Sequence, residues 1–266
     1  MFDQHQLWQD VGYKVKDGKL ADGESVTLTR DEKSSPEFLE KHSSIDDLII
    51  FKSFNNDAEQ ISYLITEIEK NIKEDELKLD DIMVIHPEPY TAKRAVGLIR
   101  EELFKKGINS NLAGVTTTPD EFFKKNAVVF TQIYRAKGNE ASMVYIINAH
   151  ECIGDFNIAQ KRNMLFTALT RSKAWVRVLG YGQNMQALQQ EFEEVKHNEF
   201  DLKFIYPTAP ERERLSIVNR DMTEQERKKL EIKSASASDL LQSLINGEIH
   251  KEDLPDEIRE KLKALL

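Results

Sequence analysis

Between residues 47 and 182, short apolar runs alternate with segments of helical period, and this alternation leaves few architectures open. The runs fall at 48–51, 82–85, 127–130, 143–147 and 174–179, with a weaker one at 111–115. Most are continuous instead of alternating with polar residues, the mark of strands buried on both faces. Between them, Asn56 and Asp57 can cap a helix that carries Ile61, Leu64, Ile65 and Ile68 on one side. A second helix is predicted over 91–106, with Val96, Ile99 and Leu103 aligned and Gly107 as its stop. Others follow at 159–170 and 185–195, and 202–206 is a last strand candidate. Strand–helix alternation of this kind predicts an α/β fold: a parallel sheet with helices on both faces. Such sheets bind ligands at the carboxyl ends of their strands, and the segment 132–140 starts at such an end.

The flanks read differently. Residues 1–44 are rich in Asp, Gly, Ser and Lys and are expected to be an irregular lead-in, with one short strand candidate at 25–29. Residues 208–237 are polar and charged and read as a linker. Residues 238–266 predict a two-helix tail, with stripes at Leu240, Leu241, Leu244 and Ile245 and at Ile258, Leu262 and Leu265. So small an appendage cannot hold a core of its own, so it is expected to dock on the main domain or on a protein partner.

Two segments carry chemistry. In 132–140 (Gln-Ile-Tyr-Arg-Ala-Lys-Gly-Asn-Glu) a strand end leads to a glycine turn and a carboxylate. In 162–171 (Arg-Asn-Met-Leu-Phe-Thr-Ala-Leu-Thr-Arg) a helix delivers an arginine at its end. Arg162 lies about half a turn out of phase with Arg171 and cannot do the same job. What is absent matters equally. No Gly-x-x-x-x-Gly-Lys-Ser/Thr loop occurs in the 266 residues; the Gly18-Lys19 pair continues into Leu-Ala. No Gly-x-Gly-x-x-Gly fingerprint occurs either, which argues against a dinucleotide enzyme.

Taken as a pair, these segments resemble motifs V and VI of superfamily 1 helicases, and 81–94 resembles the strand-to-helix segment that precedes motif V in the UvrD-like group. The resemblance covers roughly residues 45–182. It implies that 45–207 is a RecA-like helicase C-terminal domain, one of two that close on ATP. The partner domain, in cis or trans, would carry the phosphate loop and the magnesium ligands, so this chain resembles only the second domain and is expected to be inactive in ATP hydrolysis alone. It reads as a fragment or as a protein lacking the front half, since residues 1–46 hold no counterpart of the family's preceding arginine motif.

The resemblance implies a role for each residue. Arg171 would stabilise charge on the transferring phosphate, although an arginine at a helix end also serves the helix dipole. Glu140 would accept a hydrogen bond from the ribose, Gly138 would allow the tight turn, and Lys137 would reach phosphate. Gln132 and Tyr134 stand where the family places Thr and His against single-stranded nucleic acid. Gln132 can donate to a phosphate oxygen and Tyr134 can stack on a base. His86, just past a strand end, and Thr170 complete the nucleic-acid set, with His86 equally readable as a structural histidine. Asn163 lies on the motif VI helix. Phe166, Trp175 and the Phe122–Phe123 pair read as core.

Composition bounds these expectations. Forty-six acidic residues against 37 Lys and Arg give a net charge of −9, which argues against gripping nucleic acid by bulk charge but leaves room for a local groove. One cysteine excludes an intramolecular disulfide, and no Cys/His cluster has zinc-ligand spacing, so no metal is expected on this chain. No apolar run approaches the ~18 residues needed to span a bilayer, so a cytoplasmic protein with no membrane partner is expected. The expected partner is single-stranded nucleic acid, DNA ahead of RNA. The competing reading is a non-catalytic adaptor built on a degenerate helicase domain.

Overall fold

The apolar runs become adjacent strands of one sheet. The computed structural model describes residues 5–31, 33, 38–118, 120–154, 157–212, 243 and 246. In chain order the elements are α1 (His5–Asp10), β1 (Tyr13–Gly18), β2 (Ser25–Arg30), α2 (Phe38–His42), α3 (Ile45–Leu48), β3 (Ile49–Phe54) and α4 (Asp57–Lys73). There follow β4 (Ile82–His86), α5 (Ala92–Lys105), β5 (Ser110–Leu112), β6 (Val128–Gln132), α6 (Ile133–Ala136), β7 (Ala141–Ile146), α7 (Ile158–Leu169), β8 (Ser172–Tyr181), α8 (Gly182–His197), β9 (Leu202–Ile205) and α9 (Ala209–Arg212).

Six strands form a parallel sheet in the order β3-β8-β7-β4-β6-β5. Side chains alternate across the pleat, and the alternation sorts them into two cores. Met83, Ile85, Val129, Val144, Ile146, Val176 and Val178 face α6, α7 and α8. Ile82, Val84, Val128, Phe130, Met143, Tyr145 and Leu179 face α4 and α5. Every one of these strand residues is no more than 4% exposed, which is why the runs read as continuous instead of alternating. Asn56 caps α4 as its position suggested, its side chain accepting from the Glu59 backbone N–H. One buried polar pair crosses the second core: the Tyr145 hydroxyl donates to Asn71 Oδ1.

The lead-in is not irregular. Strands β1, β2 and β9 form a three-stranded antiparallel sheet, with Val26 paired to Phe204 and Leu28 to Leu202. Residues Val11–Tyr206 make one compact unit, so the boundary expected at residue 44 falls inside it. Strand β1 escaped notice because five of its six residues are exposed and it has no apolar run. Gly18 ends that strand at φ +75°, where a Cβ would meet the Ser25 carbonyl oxygen at 2.0 Å, so the Gly-Lys pair is a hairpin device. Met1–Asp10 and Pro207–Leu266 form a second unit, in which α1 and α9 are described. The expected linker and two-helix tail lie outside the described residues apart from 208–212, 243 and 246.

Candidate functional site

Strand β6 ends at Gln132, which caps the next helix: its Oε1 accepts the Tyr134 backbone N–H at 2.7 Å. That bond commits the carbonyl end of the side chain and leaves the amide nitrogen without a partner among the described residues. Helix α6 is a single turn. It buries Ile133 and Ala136 and leaves Tyr134 59% exposed. Lys137 follows, exposed, and Gly138 turns the chain at φ +87°. No atom lies within 4 Å of where a Gly138 Cβ would sit, so backbone conformation, not space, is what favours glycine there.

The segment begins at the carboxyl edge of the sheet and finishes at the opposite one. Glu140 precedes β7, is exposed, and makes no hydrogen bond among the described residues. The next residue, Ala141, donates its N–H to the Arg171 carbonyl at 3.0 Å. Arg171 lies in the turn between α7 and β8, so Glu140 and Arg171 stand side by side where β7 and β8 start. Gln132 and Tyr134 therefore lie at the carboxyl edge of the sheet, and Glu140 and Arg171 at the opposite edge.

Arg171 is half-buried. Its Nε donates to the Thr167 carbonyl at 3.1 Å and one Nη to Thr170 Oγ1 at 3.2 Å. Thr170 is exposed and donates its hydroxyl to the same Thr167 carbonyl. No carboxylate pairs with Arg171 among the described residues, so its charge is oriented by neutral acceptors and not cancelled. Arg162, by contrast, is paired with Glu191.

His86 is a correction. It is fully buried at the end of β4, where no strand of nucleic acid could touch it. Its Nδ1 lies 2.9 Å from the Glu88 carbonyl and its Nε2 lies 3.2 Å from Asn148 Nδ2. A neutral ring donating from Nδ1 and accepting at Nε2 meets these two contacts, whereas the Glu88 N–H, 3.1 Å from the same Nδ1, is met only by the other tautomer. Asn148 is itself held by Gln60, which accepts its N–H and donates to its Oδ1. Burial pushes the His86 pKa down, opposed by the Glu88 carbonyl and carboxylate. Glu151, 3.9 Å from Nε2, is pushed up by burial and by Glu88. Phe166 is a second correction: it is 66% exposed on α7 and not core. Trp175 and the Phe122–Phe123 pair pack partly buried against the cores.

Sequence reasoning missed a cleft between α6 and α7 of about 390 Å³. Ile133, Tyr134 and Lys137 form one wall, and Gln160, Asn163, Met164 and Thr167 the other. The second set follows the i, i+3, i+4, i+7 spacing of one helix face, which was legible. What hid it was the partner wall, a four-residue helix with no periodicity of its own. Thr167 joins this cleft to Arg171, since its carbonyl holds the Arg171 Nε. Among the described residues no group of His, Cys, Asp and Glu could hold a metal ion, and no helix is long and apolar enough to cross a membrane.

Residues 127–179 match the family of UvrD-like helicase C-terminal domains, a span that runs from just before β6 to within β8. No curated protein matches the chain. Among solved structures, the C-terminal domain of a possible DNA helicase from Lactobacillus plantarum WCFS1 is similar, with 15% identity over 55% of this chain and 79% of that chain and a TM-score of 0.39.

Proposed function

We propose that this chain, which carries a UvrD-like helicase C-terminal domain segment over residues 127–179, is the second motor domain of a nucleic-acid translocase driven by ATP. The observation that carries the reading is Arg171: a guanidinium aimed by a carbonyl and a hydroxyl, with no carboxylate to neutralise it. An arginine so held keeps its charge available to an anion brought to it. Glu140 beside it offers an unused acceptor for a ribose hydroxyl, and Lys137 an unused cation for phosphate.

These residues suit one wall of a nucleotide site. They include no cradle of backbone N–H groups for a triphosphate, which a phosphate-loop domain would supply in cis or trans together with the magnesium ligands. ATP bound between the two supplies the free energy of phosphoryl transfer. On this side, Arg171 stabilises charge on the transferring group. At the other end of the same segment, the Gln132 amide nitrogen donates to the backbone of a single strand and the Tyr134 ring packs on it. Thr170, exposed next to Arg171, keeps the arginine aimed and is a positioning residue.

The test joins this chain to a phosphate-loop motor domain of the same family and measures strand-stimulated ATPase. Arg171→Ala is expected to lower turnover by about 10³-fold or more. An unchanged rate removes Arg171 from the mechanism and leaves the adaptor reading standing.

A further inference from the structure

The buried ring of His86 sits in a hydrogen-bond pattern that neither neutral form of an imidazole satisfies. The groups around it are oriented from elsewhere. Gln60 Oε1 accepts the Asn148 backbone N–H at 2.9 Å, and Gln60 Nε2 donates to Asp57 and to Asn148 Oδ1. The Asn148 amide is thereby fixed: its Nδ2 faces His86 Nε2 at 3.2 Å and needs a lone pair there. The ring proton then lies on Nδ1 and is donated to the Glu88 carbonyl at 2.9 Å, which leaves the Glu88 N–H facing a donor. Moving the proton to Nε2 satisfies the Glu88 N–H and sets two donors against each other at Asn148.

Glu151 Oε2 also lies near Nε2, 3.9 Å away, buried and without a hydrogen-bond partner among the described residues. We propose that His86, Asn148 and Glu151 form a proton-operated latch, in which the neutral ring is held by the Asn148 amide and the protonated ring by the Glu151 carboxylate. A proton from solvent adds to the Nε2 lone pair, while Nδ1 keeps its proton on the Glu88 carbonyl. The new Nε2–H repels Asn148 Nδ2 and attracts Glu151, whose carboxylate closes the gap to a charge-assisted hydrogen bond. The Glu151 side chain is 32% exposed, so it has room to turn. Its backbone N–H stays on the Asn148 carbonyl at 3.0 Å, so only side chains change places.

The charges that face the latch come from several elements. Burial works against the ring proton; the Glu88 carbonyl and carboxylate favour it, His150 in the turn Ala149–Cys152 opposes it, and Asp57 at the start of α4 favours it. Glu151 must be ionised when the ring is charged. Burial and Glu88 push its carboxyl up, and Lys161 on α7 opposes them. Gln132 pairs with His86 across the sheet, so the latch sits beside the 132–140 segment. It works whether or not the domain is a motor.

The experiment follows the His86 ring nitrogens of the intact 266-residue chain by NMR as pH is lowered from neutrality. The neutral ring is expected in its Nδ1–H form, gaining a proton on Nε2 as pH falls below the ordinary 6.5. Glu151→Gln should move that titration about one pH unit lower, because an uncharged amide cannot pair with the cation. Asn148→Gly keeps the left-handed backbone at φ +53° and removes the amide that holds the neutral form, so the titration should move higher. A general loosening of the fold would move it higher in both variants. An Nε2–H neutral ring, a titration unchanged or raised in Glu151→Gln, or a wild type that unfolds before the ring titrates each overturns the latch. The wild-type tautomer and Glu151→Gln decide the matter even if Asn148→Gly does not fold.

Discussion

Two recesses of similar size lie on opposite faces of the parallel sheet, and they treat charge in opposite ways. The α6–α7 cleft, about 390 Å³, is lined by one cation, two amides and no carboxylate, with its polar groups largely unused. The other, about 310 Å³, lies under α4 among Asp47, Glu67, Lys70, Asp75, Trp175 and Arg177. There most of the polar atoms are spent internally. Arg177 donates to the Asp47 carbonyl at 2.6 Å and faces the Asp47 carboxylate at 3.6 Å. The Trp175 indole donates to the other Asp47 oxygen, and Asp75 accepts from Asn71. The Arg177 Nε is left without a partner there, but the rest of its guanidinium, the Trp175 indole and Asp47 hold one another and close this end of the sheet. A recess that leaves its polar groups open is prepared for something else. The same contrast separates two arginines: Arg177 is buried and paired, Arg171 is half-buried and held by neutral oxygens.

That contrast can be broken by substitution. The largest expected stability effect is at Arg177. Arg177→Ala should cost about 2 kcal/mol through the lost buried hydrogen bonds and the space left behind, whereas Arg171→Ala should stay within about 1 kcal/mol. Urea unfolding of both variants decides it, and equal losses would mean that Arg171 is a structural residue after all. Next in size, Trp175→Ala should lower stability and leave strand affinity alone, while Tyr134→Ala should weaken strand binding by about fivefold with little effect on stability. A reversed pattern would exchange the roles of the two recesses.

A smaller effect concerns acid. Burial lowers the folded pKa of His86 and of His150 below the ordinary 6.5. The unfolded chain therefore takes up protons first, and the stability these rings contribute is complete above pH 6.5 and is lost as pH falls through and below it. Glu151, raised by burial, works in the opposite sense, because it takes up its proton sooner in the folded state as pH falls towards the ordinary 4.5. His86→Gln should flatten the loss of stability below pH 6.5, read as urea midpoint against pH. An unaltered slope would place the titration at His150. The smallest response is expected from Cys152. Burial pushes its thiol up to about 12, so a thiol reagent should label it only when the fold opens.

The parallel sheet was legible because its strands are buried on both sides and announce themselves as unbroken apolar runs. The small antiparallel sheet was not. Strand β9 was anticipated as a strand, but its pairing with β2, some 175 residues earlier, has no local signature. Phe166 was assigned to the core because large aromatics usually are, yet the buried residues of α7 are Leu165 and Ala168, and Phe166 points off that face. The family resemblance linked segments 132–140 and 162–171, but the division of their residues between two edges of the sheet has no signature in the sequence. An eight-residue connection crosses the whole depth of the sheet from Gln132 to Ala141, and only three-dimensional structure shows that it does.

The hydrogen bond from the Ala141 N–H to the Arg171 carbonyl has a mechanical consequence. It ties the far end of the 132–140 connection to the backbone of Arg171 through main chain alone, at a point where two neighbouring strands begin. Neither can be shifted without dragging the other. A shift of the backbone where β7 starts is therefore expected to move the Arg171 main chain directly, before any side chain is involved.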